Sequence, residues 1–303
     1  MPKEHLKKLI VIGGPTASGK TSLAIDLALK LKTEIISADS RQFYKELNIG
    51  VARPSVEELN AVPHHFIAHR SVEEEYSAGQ FARDALVKIN ELFRTKDYVV
   101  LVGGSGLFIN AVTKGFHEDV KDDGALRKEL ELLFKNEGLE GLQVKLKAID
   151  PEAYEIIDIQ NPQRLQRAIE RVVLSGKTHD ELRQSDLEER QFEVHEFGID
   201  WPREELYNRI NRRVDIMMES GLLDEVKSVL NFKELNALKT VGYKEIFEYL
   251  EGACSFEEAV EKIKQNTRRY AKRQLTWFRN KTGTVWVNPS NSLNDSLRII
   301  QKV

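Results

Sequence analysis

The stretch KLIVIGGPTASGKT, from Lys8 to Thr21, decides the fold. Its first half, KLIVIG, is an unbroken apolar run ending in glycine, the pattern of a strand buried on both faces. Its second half, Gly14 to Thr21, matches G-x-x-x-x-G-K-[ST] and leads into Lys20 to Leu31, where Leu23, Leu27 and Leu31 recur at helical spacing. Strand, glycine-rich turn and helix make a phosphate-binding loop. The glycines let backbone N–H groups curl around phosphate oxygens, and the helix start turns its positive end on the same anion. Lys20 supplies a mobile cation, and Thr21 offers a hydroxyl to phosphate or Mg²⁺. Gly14, Pro15, Thr16, Ala17, Ser18, Gly19, Lys20 and Thr21 are therefore expected to hold a phosphate-bearing ligand.

Outward from this loop the pattern repeats. Glu34 to Ser37 reads as a second strand ending at Asp39. Ser77 reads as the N-cap of a helix through Phe93, with Phe81, Ala85, Ile89 and Phe93 on one face. Tyr98 to Val102 is a third buried strand, closed by Gly103-Gly104. This alternation predicts an α/β fold with a doubly wound parallel sheet. After about residue 116 helices follow one another, at 124–136, 139–148, 151–157 and 162–175, before a strand-like run from Val194 to Ile199. Further helices at 203–219, 221–230, 243–250 and 256–281, a short strand from Thr284 to Val287 and a last helix complete the chain. The expected division is a P-loop core over 1–115 and 199–303, interrupted by a helical insertion over 116–198.

The 303 residues are 41% hydrophobic, enough for a real core. No apolar run approaches the roughly 20 residues that span a bilayer, and MPKEHLKKLIVIGG lacks the apolar core and cleavage site of a signal peptide. A single cysteine, Cys254, rules out an internal disulfide and a Cys-cluster zinc site, and suits a cytoplasmic setting. Net charge is −3, yet KIKQNTRRYAKRQLTWFRNK at 262–281 carries eight Lys or Arg and no acid, leaving −11 for the rest. Such asymmetry suggests a local contact with a polyanion. Tyr270, Trp277 and Phe278 within it could stack on bases or fill the core.

Several residues could carry chemistry. Asp39, at a strand's C-terminal end where ligands collect in open parallel sheets, could accept a proton or cap a helix. Ser105, in Gly103-Gly104-Ser105-Gly106, could meet a ligand or act as an N-cap. The third strand ends without the carboxylate that NTPases use to hold Mg²⁺, which counts against NTP hydrolysis. His64-His65 lacks a third ligand nearby and argues little for metal. Arg164, Arg167 and Arg171 share one helix face behind Asn161-Pro162, a basic face that could be solvated or could meet a polyanion.

GPTASGKT at 14–21, SADSRQFY at 37–44, NIGVARP at 48–54, VPHH at 62–65, VGGSGLF at 102–108, NPQRLQRAIE at 161–170, VGYKE at 241–245 and RRYAKRQLTWFR at 268–279 together resemble the bacterial tRNA dimethylallyltransferase (IPP transferase) family. The resemblance spans about residues 9–287. It implies transfer of a dimethylallyl group from dimethylallyl diphosphate to N6 of the adenosine beside the anticodon, with release of diphosphate. The P-loop then holds the donor's diphosphate with Mg²⁺, bound through Thr21. By the same resemblance Asp39 is the general base, Ser105 lies near the donor's bridging oxygen, and Thr16, Lys20 and Arg213 complete the catalytic set. It further implies tRNA contacts from Asp39, Ser40, Arg41, Gln42, Ser105, Arg127, Gln163, Arg164, Leu165, Gln166, Arg167, Gly242, Tyr243, Lys244, Lys272, Arg273, Gln274 and Arg279, in a monomer without membrane attachment. Ser105 keeps the hydroxyl and loses the methyl of the usual Thr. Val51 and Arg53 replace the usual Thr and Lys, and no role is assigned to them.

A buried target amine requires the base to be splayed out of its loop, and a diphosphate leaving group requires cations such as Lys20 and Arg213. The rival readings are a small-molecule P-loop kinase, a prenyltransferase acting on free adenylate, and a nucleotide-gated RNA-binding protein. The first two leave the basic 262–281 segment without purpose; the third leaves Asp39 and Ser105 idle.

Overall fold

A computed structural model describes residues 6–115, 124–184 and 189–301. The chain runs β1 (Lys8–Gly13), α1 (Lys20–Leu31), β2 (Ile35–Ser37), α2 (Val56–Ala61), β3 (His64–His65), α3 (Ala78–Phe93), β4 (Tyr98–Gly103) and α4 (Gly106–Thr113). A helical stretch follows: α5 (Ala125–Ile149), α6 (Pro151–Ile156), α7 (Pro162–Ser175) and α8 (His179–Gln184). Then come β5 (Glu193–Ile199), α9 (Arg203–Glu219), α10 (Leu222–Ser228), α11 (Tyr243–Leu250), α12 (Phe256–Asn280), β6 (Thr284–Val287) and α13 (Ser292–Gln301).

The strands form one sheet in the order β3-β2-β4-β1-β5-β6, with every pairing parallel. Its centre is β1, in register with β4 from Lys8↔Tyr98 to Gly13↔Gly103. Ile10 and Ile12 pack on one face with Leu23, Leu27 and Ala28 of α1, Val100 and Val102 of β4, and Ile300 of α13. Leu9 and Val11 alternate to the other face and are equally buried. Burial on both faces explains the uniform apolar run of KLIVIG, as expected for a doubly wound sheet. The cap at Ser77 forms as expected, with Ser77 Oγ accepting from Gln80 N and the Gln80 side chain returning to Ser77 N.

The chain divides into two compact units, 1–114 with 190–303 and 115–189. The insertion's expected end at 198 is therefore corrected. Residues 193–199 form β5, which pairs with β1 from Lys8↔Glu193 to Gly13↔Gly198 and with β6 on its other side. The strand-like run expected at 194–199 thus belongs to the sheet, where buried Glu196 is satisfied by Lys281 and by Thr284 Oγ1, both far along the chain. The insertion's expected start at 116 lies outside the described residues. The second unit has its own core of Leu130, Leu142, Leu146, Ala153, Leu165 and Ile169. The break expected near 137–138 occurs at Gly138, which takes φ 66°.

A second core in the first unit gathers Leu47, Val214, Leu222, Val226, Leu238, Tyr243, Ile246 and Ile263. The loop after Leu47 is tied to it by Glu225, whose carboxylate accepts from the N–H groups of Asn48 (3.1 Å), Ile49 (2.7 Å) and Gly50 (2.9 Å) and from Tyr243 Oη (2.6 Å). Arg53 closes the same loop by donating to the carbonyls of Tyr44, Lys45 and Leu47. No helix among the described residues is long and apolar enough to cross a membrane.

Candidate active site

The loop from Gly14 to Gly19 joins β1 to α1 with Gly14, Ala17 and Gly19 at positive φ (134°, 62° and 90°). Ser18 Oγ donates to the Pro15 carbonyl at 2.9 Å, and Lys20 Nζ donates to the same carbonyl. Trp201 Nε1 donates to the Ser18 carbonyl and Arg209 Nε to the Ala17 carbonyl, both at 2.8 Å. The Arg209 guanidinium sits 4.4 Å from the centroid of the Trp201 ring. Engaging these carbonyls leaves neighbouring N–H groups for an anion. Arg213, one helical turn beyond Arg209, donates to Thr16 Oγ1 at 3.3 Å.

Ionisable groups from three helices gather at this loop. Burial, then the Arg213 charge, pushes the Lys20 amine down to about 7 against the opposing pull of Asp39. Burial also lowers Arg213, again opposed first by Asp39. The Tyr270 phenol is raised to about 12, by burial first and by the Asp39 charge second. Three groups from α1, α9 and α12 thus feel the Asp39 carboxylate. Two desolvated cations beside one acid are ready to exchange part of their mutual repulsion for attraction to a polyphosphate.

Asp39 lies beyond the end of β2, where Oδ1 accepts from Arg41 N at 3.0 Å. That bond shapes a turn, not the helix start that was the alternative reading. Ser105 stands at the N-cap position of α4, yet its side chain makes no capping bond. The hydroxyl expected to meet a ligand is therefore not spent on the helix.

The glycines around Ser105 have another reason than ligand approach. A Cβ on Gly104 would lie 2.4 Å from Gln274 Nε2, one on Gly106 2.4 Å from the Trp277 indole, and one on Gly13 2.4 Å from the Phe278 ring. Helix α12 needs this room to seat on the ends of β1 and β4.

Not every expected tRNA contact is open to one. Leu165 and Tyr243 are 0% exposed, each in a core. Gly242 is buried, with its N–H donating to Glu245 Oε2. Gln274 is 7% exposed with both ends of its amide bonded internally. Gln42 Nε2 donates to the carbonyls of Val51 and Ala52, fixing that loop. In this structure Leu165, Gly242, Tyr243 and Gln274 are thus buried, and Gln42 is half-buried with its amide bonded inward. Arg41 Nη1 donates to the Asn236 carbonyl, and Ser40 is half-buried beside it. In the second unit Gln163, Arg164 and Arg167 are exposed, Gln166 is half-buried, and Arg127 pairs with Glu170 at 3.1 Å.

Four of the eight cations in the basic 262–281 segment pair with acids. Lys262 pairs with Glu248, Lys264 with Asp215 and Glu261, Arg279 with Asp200, and Lys281 with Glu196. Arg268 donates to Asn211 Oδ1. Among the described residues Arg269, Lys272 and Arg273 remain exposed on α12 with no acidic partner, and Lys244 is exposed on α11. Arg209 and Trp201 escaped the sequence reading, although Arg209 and Arg213 stand one turn apart on the same helix.

His64 Nδ1 lies 2.7 Å from the Val62 carbonyl and His65 Nε2 2.8 Å from Glu34. Among the described residues no group of three or more His, Cys, Asp or Glu could hold a metal.

The family model described as IPP transferase matches residues 42–281. A tRNA dimethylallyltransferase of Flavobacterium johnsoniae is 46% identical over 97% of both chains, and one of Christiangramia forsetii 48% over 92% of both. Among solved structures, a tRNA isopentenylpyrophosphate transferase of Bacillus halodurans is 38% identical with a TM-score of 0.72, covering 98% of this chain and 96% of its own. A eukaryotic dimethylallyltransferase acting on tRNA is 26% identical with a TM-score of 0.84, covering 97% of this chain and 78% of its own.

Proposed function

This chain belongs to the IPP transferase family, and we propose that it transfers a dimethylallyl group from dimethylallyl diphosphate to N6 of the tRNA adenosine beside the anticodon. The observation that carries the reading is the convergence of Lys20, Arg213 and Thr16 of the phosphate site with Asp39, while the turn after β4 offers Ser105 and no carboxylate. An NTPase needs an acid near that strand end for Mg²⁺; release of a prenyl-bound diphosphate does not.

In this reading the P-loop N–H groups, Lys20 and Arg213 hold the donor's diphosphate and neutralise the charge that grows as the carbon–oxygen bond breaks. Ser105 donates to the bridging oxygen. The N6 amine forms the new carbon–nitrogen bond, and its proton passes to the Asp39 carboxylate. Mg²⁺ fits the residues present, because that ion keeps several waters and takes few protein ligands beside substrate phosphates. Thr21 would hold it, and when bound it would add charge neutralisation at the diphosphate. Arg269, Lys272 and Arg273 of α12, Lys244 of α11, and Gln163, Arg164 and Arg167 of the second unit supply cations and polar groups for tRNA. The setting is a cytoplasmic monomer.

Incubation with labelled dimethylallyl diphosphate and unmodified tRNA tests the reading. Label in tRNA is the expected result. Label in free adenylate, or phosphate transfer from ATP in parallel arms, would replace it with one of the rivals.

A further inference from the structure

Gln274 is a buried polar side chain that the reaction as proposed leaves without a task. Its amide joins three elements. Oε1 accepts from the Thr16 N–H of the P-loop at 2.9 Å, and Nε2 donates to the Gly104 carbonyl, one residue before Ser105, at 2.8 Å. Its backbone belongs to α12, beside the outward-facing Lys272 and Arg273. The amide's orientation is set by its partners, since Thr16 N–H must meet an acceptor and Gly104 O a donor.

We infer that Gln274 is a positioning residue for prenyl transfer, a strut through which α12 sets the spacing between the diphosphate loop and Ser105. This rests on the proposed reaction, in which Thr16 and Ser105 act on the two sides of one donor. Three features give the strut its stiffness. Both ends of the amide are paired inside the protein, so rotating it breaks two bonds in a place where water does not replace them. Trp277 and Phe278 wedge against Gly106 and Gly13 on either side, so α12 has no freedom to slide. The Thr16 N–H is withheld from the anion, so the bond also selects which loop N–H groups meet the diphosphate. Only a neutral side chain with one donor and one acceptor at this reach serves. A carboxylate would face the Gly104 carbonyl with a lone pair, and a thioether would satisfy neither partner.

Gln274→Met and Gln274→Glu test this together. Gln274→Met keeps the length and loses both bonds. Its kcat is expected to fall on the order of 10²-fold, the usual consequence of a misplaced reacting group, with tRNA affinity unchanged. Gln274→Glu carries the distinguishing signature. When protonated, its carboxyl donates to Gly104 O and accepts from Thr16 N–H, as the amide does. The ratio of its kcat to that of the wild type is therefore expected to rise as pH falls from about 8 to about 6, the ratio cancelling any pH dependence the two proteins share. Wild-type kcat in Gln274→Met, a loss confined to tRNA affinity, or a ratio flat with pH would each overturn the inference. Should the wild type transfer no prenyl group, the proposed reaction fails. The strut is then judged by calorimetry with inorganic pyrophosphate: weaker binding by Gln274→Met supports it, and equal binding overturns it.

Discussion

Lys20 and Asp39 carry opposite assignments in the proposed site, and each can be tested by substitution. The Lys20 amine, held near 7 by burial and by Arg213, is mostly neutral above that pH in the free protein. A bound polyanion favours the charged form, so binding at higher pH must draw in a proton. We expect pyrophosphate binding at about pH 8 to take up close to one proton more in the wild type than in Lys20→Arg, whose guanidinium is always charged. Calorimetry in buffers of different ionisation enthalpy reads this difference. Asp39→Ala should lower prenyl transfer by about 10²–10⁴ with tRNA binding intact, the usual cost of removing a general base. Single-turnover rates beside filter binding check it, and near-normal turnover would reassign the base. Both positions stand out in the sequence through local signals, a glycine-rich loop and a strand end, whereas the role proposed for Asp39 comes from the family resemblance. The burial of Leu165, Tyr243 and Gln274 was hard to see because they lie within motifs otherwise rich in polar and charged residues. The signal for Gln274 was present: it shares the buried stripe of α12 with Ala271 and Phe278, at helical spacing.

Helix α12 and the loop at 48–50 depend on partners from other parts of the chain. Glu225 of α10 holds that loop through three backbone N–H groups and Tyr243. Glu225→Ala should cost about 3 kcal/mol, since charge-assisted bonds are lost and donors left unpaired. Urea unfolding measures it, and a wild-type midpoint would show that the loop is held some other way. On α12 the salt dependence belongs to the cations left without acids. Lys272→Ala with Arg273→Ala should weaken tRNA binding and flatten the dependence of log K on log salt by between about one and two. An unchanged slope would move the contact off this helix. The sequence overstated the basic helix because it shows only neighbours along the chain. Glu248, Asp215, Asp200 and Glu196 reach α12 across the fold and neutralise half of its charge.

The whole chain consists of a sheet unit and a helical unit, and the second leaves and rejoins the first at neighbouring points. Arg190, where the chain re-enters, donates to the carbonyls of Val112 and Ala111 near the departure point. A chain in which a short Gly/Ser linker replaces residues 115–189 should keep a cooperative unfolding transition and pyrophosphate binding, and lose tRNA affinity. Loss of pyrophosphate binding would mean that the phosphate site needs the second unit. By itself the sequence determined the parallel sheet, the P-loop, the cap at Ser77 and the family resemblance, because each is written in near-neighbour patterns of burial and turn chemistry. Only the tertiary structure decided that β5 belongs to the sheet, that α12 carries few free cations, and that Gln274 faces inward to join Thr16 and Gly104. Those facts depend on pairing between residues far apart in the chain, where burial and charge are settled by partners that no local pattern names.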